Sequence, residues 1–336
     1  MKKLHTILLL LGVGFLAWLI WHIGVRELWR ELASLGWGLI PLFFCEGLGE
    51  MIHTLGWRRC LSGPHRAQPY MRLFRIRMAG YAINFLTPTA ALGGETTRVA
   101  LLSVYGRTTE AVSGVLIDKA CFAFAHLLCV VVGSSIILWR IRLPPPLRLA
   151  MLVAGALLAA GIVAFLLLQK HGKLGAILRW LAARNFGGPK LRKAADEVTA
   201  VDEAFKIFYR DRPRDLLIAL GWHLLGFSIG ILQTWLFLAL LNLHGSFVVA
   251  ATGWFLSLWF DLLTFAVPLS LGTLEGSRIL MFEAIGYQAI QGMTFGITVR
   301  LAQLFWAVFG LLSYAFLASR PAQPAPKPVR ESASLR

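Results

Sequence analysis

The stretch FLTPTAALGGETTRVALL, Phe85 to Leu102, interrupts an apolar run with a proline, two adjacent glycines, a glutamate and an arginine. Hydrophobic residues make up 57% of the 336-residue chain and charged residues only 15%, which is too apolar for a soluble domain. We therefore predict an all-α polytopic membrane protein. Non-helical backbone at membrane depth must be buried by protein or line a watery cavity, so the stretch is expected at the centre of the bundle.

Six apolar runs are long enough to span a membrane, since a spanning helix needs about 20 mostly apolar residues. Two broken regions, at about 70–105 and 247–285, lie between them, and a short amphipathic segment occupies about 25–35. Residues 1–320 are predicted to form a single membrane domain, followed by a Pro-rich, disordered tail at 321–336. The predicted spans are at about 6–24, 36–57, 111–138, 149–168, 216–241 and 294–318.

Basic segments predict the orientation, because lysine and arginine collect in cytoplasmic loops. Six arginines and no acid lie between Arg58 and Arg77, and the connection at 170–215 carries eleven basic against six acidic residues. With both segments and both termini in the cytoplasm, each broken region must enter and leave the membrane on one side, the first from the cytoplasm and the second from outside. We attribute the net charge of +16 to the basic residues that orient the protein in the membrane. Nucleic-acid binding is not predicted, since the sequence has no basic domain outside the membrane part. One short loop then faces outward with three arginines, Arg140, Arg142 and Arg148.

The two broken regions share the motif P-x6-E-x2-R at a constant offset of 180 residues. The second region reads FAVPLSLGTLEGSRILMF. Recurrence at one offset, in segments placed on opposite faces, predicts re-entrant hairpins in an inverted-topology repeat with halves at about 36–140 and 216–318. The matched pairs are Phe85 with Phe265, Pro88 with Pro268, Glu95 with Glu275, Arg98 with Arg278, and Gly106 with Gly286.

The breaks predict a binding site for an anionic group. Each break precedes a half-helix whose free N–H groups carry partial positive charge, and an arginine one turn further adds a fork that suits phosphate or carboxylate. Alternatively, the glutamate and arginine of each half-helix, three residues apart, only neutralise one another. Charges inside apolar helices are predicted to line the same cavity or to form an interhelix ion pair. The predicted substrate-binding residues are Pro88, Gly93, Gly94, Glu95, Arg98, Asp118, Lys119, Pro268, Gly272, Glu275, Arg278 and Arg300.

Glu46, Glu50 and His53 share one face of the second predicted helix. This face is consistent with a polar lumen, a proton relay or a metal site, but no fourth ligand or HExxH motif accompanies it, so no metal or cofactor is predicted. The sequence contains no Walker A motif, so ATP hydrolysis is not expected. Asp261, His126 and His223 are interpreted as hydrogen-bonded helix-packing residues and not as site residues.

Four blocks of sequence carry a family resemblance. They are the Pro-to-Gly-Glu-x2-Arg block near residue 90, the P-x3-G-x2-E block at 268–275, GWRRCL at 56–61 and IDKA at 117–120. Together they resemble the lysylphosphatidylglycerol synthase transmembrane family, also called flippase-like, over about residues 5–320. Within it the chain is most similar to the hopanoid-biosynthesis-associated membrane proteins. Lys119 departs from the pattern, since the family is expected to favour arginine there.

The resemblance implies an inner-membrane protein that moves or handles a lipid, in the best-known members an aminoacylated phosphatidylglycerol. The full synthases carry a soluble aminoacyl-transferase domain after the membrane part, and this sequence has no counterpart, so enzyme activity is not expected. The predicted function is a lipid flippase whose anionic headgroup docks between the two hairpin tips. The alternatives are a membrane-embedded lipid-modifying transferase and a non-transporting scaffold of a lipid-synthesis complex. Partner enzymes or a homo-oligomer are the other predicted partners.

Overall fold

All regular elements that the computed structural model describes are helical, as the composition predicted. The described residues are 18, 21, 24–86, 92–142, 145–170, 208, 210–264 and 270–319. Within them one short 3-10 turn, Gly36–Gly38, joins the first two of eleven α-helices. In chain order these are α1 Val25–Leu35, α2 Leu39–Cys60, α3 Gly63–Arg66, α4 Tyr70–Leu86, α5 Leu92–Ser103, α6 Thr108–Arg140, α7 Pro145–Lys170, α8 Pro213–Leu240, α9 Phe247–Thr264, α10 Thr273–Ala284 and α11 Ala289–Ala318.

Four helices within the described ranges are long and apolar enough to cross a membrane, and they match four of the six predicted spans. The predicted span at about 149–168 corresponds to a shorter apolar helix, Arg148–Ala164, and Phe247–Leu263 is another of that kind. Most of the predicted span at about 6–24, most of the basic connection and the tail at 321–336 lie outside the described residues. The four candidate spans are Val25–Cys60, Thr108–Arg140, Pro213–Leu240 and Ala289–Ala318.

The long helices α2 and α8 pack antiparallel against each other. Glycines on both helices let the backbones come close: a Cβ at Gly56 would meet His223 at 3.0 Å, and one at Gly226 would overlap His53. The buried amide of Gln233 donates to the carbonyl of Leu42 at 3.0 Å. These contacts set the register that places His53 opposite His223.

The bundle has two distinguishable ends, which we call the basic end and the opposite end. The end of α2 and the start of α8 lie together at the basic end. This is shown by Asp215 in the first turn of α8, which accepts hydrogen bonds from Arg59 at the end of α2 and from Arg66 just after it. At the opposite end Gly38 precedes α2 and lies beside Leu240, the last residue of α8. The other elements can be placed relative to these two ends.

The first helical hairpin consists of α4 and α5. Its outer ends, which are the start of α4 and the end of α5, lie at the basic end. Gly80 of α4 faces Gly94 of α5, so closely that a Cβ on Gly80 would meet the Gly94 carbonyl oxygen at 2.8 Å. Before α4, the His65 Nε2 lies 3.1 Å from the carbonyl oxygen of Arg107, which follows α5. The prediction that Arg77 belongs to an exposed basic loop is wrong, because Arg77 lies two turns into α4 and is buried.

The second helical hairpin consists of α9 and α10, and its outer ends lie at the opposite end. Gly253 of α9 faces α10, where its Cβ would meet Ile285 at 3.0 Å and Met281 at 3.1 Å. Beyond the hairpin, the Tyr287 hydroxyl donates to the His244 carbonyl at 3.1 Å, which joins the segments before α9 and after α10. The two hairpins therefore approach the bundle from different ends.

Apolar side chains cover the outer surface of the bundle. Leu157 and Leu312 are 68% and 66% exposed, as expected for side chains that face lipid. Two tryptophans near helix ends, Trp37 and Trp139, are also exposed, which is typical of the aromatic belts at membrane surfaces. The four cysteines, Cys45, Cys60, Cys121 and Cys129, are free and buried, so they serve as small packing residues.

Candidate functional site

Asp118 of α6 is the centre of a buried ion cluster at the first hairpin. Its side chain is 1% exposed, and its Oδ2 accepts from Arg98 of α5 at 2.6 Å and from Arg77 of α4 at 3.2 Å. Arg77 also donates to Glu50 of α2 at 2.7 Å. Four helices thus contribute two guanidinium groups and two carboxylates, which satisfies the need of buried charges for opposite partners. The Arg98 guanidinium also lies 4.0 Å from the centroid of the Trp57 ring.

Glu95 and Lys119 form a second ion pair beside this centre. Lys119 Nζ lies 2.8 Å from Glu95 Oε1, and the Asn84 side-chain amide donates to the same carboxylate at 3.3 Å. The Asn84 oxygen accepts from the Gly94 N–H at 2.6 Å, so one N–H in the first turn of α5 is already bonded within the protein. The Lys119 side chain is 45% exposed and is the most accessible charge of this group.

A cavity of about 160 Å³ opens onto the first cluster. It has room for several water molecules. Besides polar and aromatic side chains, it is lined by three acidic and three basic groups, so that its formal charge is balanced. These six residues are Glu50, Arg77, Glu95, Arg98, Asp118 and Lys119.

Two histidines continue the network from Asp118 towards α2. His223 Nε2 lies 3.1 Å from Asp118 Oδ1, and the Nδ1 atoms of His223 and His53 are 3.0 Å apart. Both rings are buried and pack against Phe122, and the His53 ring also packs against Phe227. A hydrogen bond between two Nδ1 atoms needs one protonated and one bare nitrogen, so one of the two rings carries a proton on Nδ1 and the other does not.

Glu275 of α10 is the centre of the corresponding cluster at the second hairpin. Its side chain is fully buried, and Arg300 of α11 donates to it twice, at 2.8 and 3.1 Å. It also accepts from the N–H of Gly272 at 2.9 Å, where a φ of 73° favours glycine. Arg300 donates further to the Ser270 carbonyl at 2.9 Å. The glutamate in the first turn of α10 therefore caps the N-terminus of its own helix.

The arginine of the second hairpin has a partner on the other arm of that hairpin. Arg278 Nη1 and Nη2 lie 3.3 and 3.2 Å from the two carboxylate oxygens of Asp261 on α9. In both hairpins, therefore, the glutamate and the arginine of the half-helix bind different neighbouring residues, and not each other. The geometry therefore does not support the alternative in which the glutamate and the arginine of each half-helix only neutralise one another.

The two clusters approach each other around α2 and α4. Glu46 interacts electrostatically with Glu50 of the first cluster and with Arg278 of the second. Tyr81 of α4 lines the cavity and interacts electrostatically with Glu46 and Arg300. The predicted site residues of the two hairpins are thus brought to one region.

Most of the predicted site residues lie in or beside this region. Gly93 and Gly94 lie in the first turn of α5 and Gly272 precedes α10, whereas Pro88 and Pro268 are outside the described residues. No group of three or more His, Cys, Asp or Glu side chains within the described ranges is placed to hold a metal ion.

The sequence interpretation missed several members of the clusters. A signal for Arg77 is present in IRMAGYAINFL, where a charge inside an apolar helix predicts a buried partner. His223 pairs with Asp118, and Asp261 pairs with Arg278. Both pairs depend on helix packing and cannot be predicted from the spacing of residues in the sequence. The missed residues are Arg77, Tyr81, Asn84, His223 and Asp261.

The fold and the site define a helical, multi-pass membrane protein with charge-balanced ion clusters inside its bundle. A family model described as "Lysylphosphatidylglycerol synthase TM region" matches residues 6–311, and the chain belongs to this family. This confirms the family resemblance of its motifs and relates the protein to lipid modification or flipping at the level of the family. Comparisons with curated proteins and with solved structures give no match.

Proposed function

We propose that the protein is a lipid translocase of the bacterial inner membrane. Its substrate would be an anionic or modified phospholipid, in connection with hopanoid or aminoacyl-phospholipid metabolism. The observation that carries this proposal is the pair of buried ion clusters, one for each hairpin, that both lie within electrostatic range of Glu46 and Tyr81. Ionisable groups at this depth are costly to bury and usually belong to a pathway for a polar group.

The proposed topology has six full spans and two re-entrant hairpins in an inverted repeat, with both termini in the cytoplasm. It is supported by the outer ends of the hairpins, which lie near His65 and Arg107 in one case and near His244 and Tyr287 in the other. Since arginines concentrate at the first of these ends, we assign the basic end to the cytoplasm.

Cysteine accessibility tests the topology in a variant whose native cysteines are replaced. Ser62→Cys and Thr108→Cys should react with an impermeant maleimide only in inside-out vesicles. His244→Cys and Tyr287→Cys should react only in right-side-out vesicles. If cysteines from the two ends reacted in the same vesicles, the inverted arrangement would be wrong.

In the proposed mechanism, the lipid phosphate enters the cavity and exchanges with the resident carboxylates. Lys119 is the accessible cation that meets it first, and Arg98 supplies the fork that binds phosphate oxygens in place of Asp118. Because the cavity has balanced charges, an added anion leaves a surplus negative charge, which a proton on the His53–His223 chain would offset. The acyl tails remain in the bilayer, and hairpins from opposite faces expose the site alternately.

Leaflet-resolved scrambling in proteoliposomes tests this function. Fluorescent phospholipids are quenched with dithionite for the wild type, Arg98→Ala and Arg278→Ala, with the exposed Arg75→Ala as a control. We expect the wild type and the control to expose inner-leaflet probe, and the other two variants to lose most of this activity. If the wild type matches empty liposomes with anionic, zwitterionic and native-extract lipids, the proposal fails.

A second candidate function is a membrane-embedded lipid-modifying transferase. It is favoured by the Asp118–His223–His53 chain beside the cavity, because a carboxylate that orients an imidazole is a common arrangement for a general base. Mass spectrometry of native lipid extract incubated with the protein would reveal a modified product. Its loss in His223→Gln, together with inactive scrambling, would favour the transferase over the translocase.

A further inference from the structure

A second cavity, of about 300 Å³, lies at the basic end and shares no lining residue with the cavity of the first hairpin. It lies where α2 ends and α8 begins, which are two of the candidate spans. It is therefore at the surface of the proposed membrane and not at its centre. Its lining residues are Leu55, Arg58, Arg59, Arg66 and Trp222.

The charges around this second cavity are not balanced. Asp215 alone serves three arginines: Arg66 and Arg212 each lie 2.7 Å from it, and Arg59 lies 3.3 Å from it. Arg58 donates its Nε to the Arg66 carbonyl at 3.3 Å and has no carboxylate partner among the described residues. Among the described residues at this end, these four guanidinium groups against one carboxylate give a local surplus of three positive charges.

Orientation of the chain in the membrane does not explain this arrangement. The rule that basic loops remain in the cytoplasm depends on the number of arginines, and not on their convergence. Two other arginines of the same basic run lie against aromatic rings elsewhere, Arg72 over Tyr105 at 4.8 Å and Arg75 over Phe316 at 5.1 Å. The arginines of the second cavity instead surround an open volume.

We propose that the second cavity binds the phosphate of an anionic membrane lipid. Guanidinium groups match phosphate oxygens in pairs, and Arg58 is available for this bond without losing a carboxylate partner. The apolar part of the lining, Leu55 and Trp222, suits the glycerol and upper acyl region of a lipid. On the same helix as Trp222, α8 exposes three apolar side chains that acyl tails can cover: Leu217, Ile218 and Leu225. This lipid would be held at the surface, apart from the proposed translocation site.

Native mass spectrometry of the purified full-length chain tests the proposal by titration with phosphatidylglycerol, phosphatidylcholine and inorganic phosphate. We expect the wild type to bind one phosphatidylglycerol in preference to phosphatidylcholine. Arg58→Gln should weaken this binding about tenfold, because a charged hydrogen bond to phosphate is lost. Arg58→Lys, which keeps the charge, should weaken it less.

Two further variants make the outcome specific to the cavity. Arg214→Gln removes the same charge from an exposed position of α8 that does not line the cavity, and should bind like the wild type. Leu55→Trp keeps all charges but fills the cavity, and should weaken binding at least as much as Arg58→Gln. Equal binding by the wild type, Arg58→Gln and Leu55→Trp would overturn the proposal, as would equal weakening by Arg58→Gln and Arg214→Gln. Displacement of phosphatidylglycerol by millimolar phosphate would assign the site to a free anion, and would overturn a lipid as its ligand.

Discussion

The two hairpins carry one motif but surround it differently. In both, the glutamate of the half-helix binds a cation of the following long helix, Lys119 on α6 or Arg300 on α11. In the first hairpin the pair lines a cavity, and Lys119 is 45% exposed. In the second, Glu275 is fully buried, and two glycines of α11 hold α10 so close that a Cβ at Gly296 would meet the Glu275 backbone at 3.0 Å.

The ion pairs of the two arginines show the reverse order of exposure: the pair in the first hairpin is the more buried one. Arg98 binds Asp118, which is 1% exposed and belongs to a network of four helices and two histidines. Arg278 binds Asp261, which is 34% exposed and lies on the other arm of its own hairpin. A repeated motif therefore supplies the same charges to both halves, while the neighbouring helices decide which charge is accessible. We infer that the first hairpin is specialised for contact with substrate and the second for a rigid closure.

The largest difference between the hairpins is expected on removal of the aspartate that binds each arginine. Asp118→Asn leaves Arg98 and Arg77 with too little negative charge in a buried place, and should lower the free energy of unfolding by about 3–5 kcal/mol. Asp261→Asn should lower it by less, about 1–2 kcal/mol, since Arg278 is buried but water reaches the Asp261 side of that pair. Reversible unfolding in mixed detergent micelles measures both. Equal losses would mean that the two arginines have the same environment.

A smaller difference is expected for the glutamates. Glu275→Gln removes a buried charge that binds Arg300 and the first turn of α10, and should lower the free energy of unfolding by about 2–3 kcal/mol. Glu95→Gln should lower it by only about 1 kcal/mol, because Lys119 can turn to water.

The scrambling assay should rank these two glutamate variants in the other order. Glu95→Gln should reduce lipid movement per folded molecule more strongly than Glu275→Gln does. A stronger functional loss in Glu275→Gln than in Glu95→Gln would contradict the assignment of substrate contact to the first hairpin.

A last prediction concerns the close packing of the second hairpin. Gly292→Ala places a methyl group 2.6 Å from the Arg278 carbonyl oxygen and must push α10 away from α11, which should cost about 1–3 kcal/mol. The control is Gly161→Ala in α7, which has no heavy atom within 4 Å of the added Cβ and should be neutral or slightly stabilising. Unfolding midpoints of the two variants and the wild type provide the comparison, and a neutral Gly292→Ala would show that the helices can separate freely.

Much of the local structure could be predicted from the pattern of apolar residues. The predicted run at 111–138 lies within α6, and the run at 216–241 matches α8 to within three residues at each end. The reason is that about 20 apolar residues in succession can only be buried in lipid as a helix. The hairpins were expected from proline, glycine and charge at matched positions. The assignment of Arg77 to a loop failed because it rested on the density of arginines in the sequence, whereas α4 starts at Tyr70 and carries Arg77 to the buried side.

Apolar runs and motif spacing were sufficient to predict the membrane class, the long helices and the occurrence of Glu-x2-Arg in both halves. The pairing of Arg98 with Asp118 and of Glu95 with Lys119 depends instead on how the helices pack, although Glu95 and Arg98 are themselves only three residues apart. It also brought together Asp118 and His223, which are far apart in the chain. The physical reason is that a buried charge selects the partner that packing brings within about 3 Å, and packing depends on contacts between helices that no local spacing encodes.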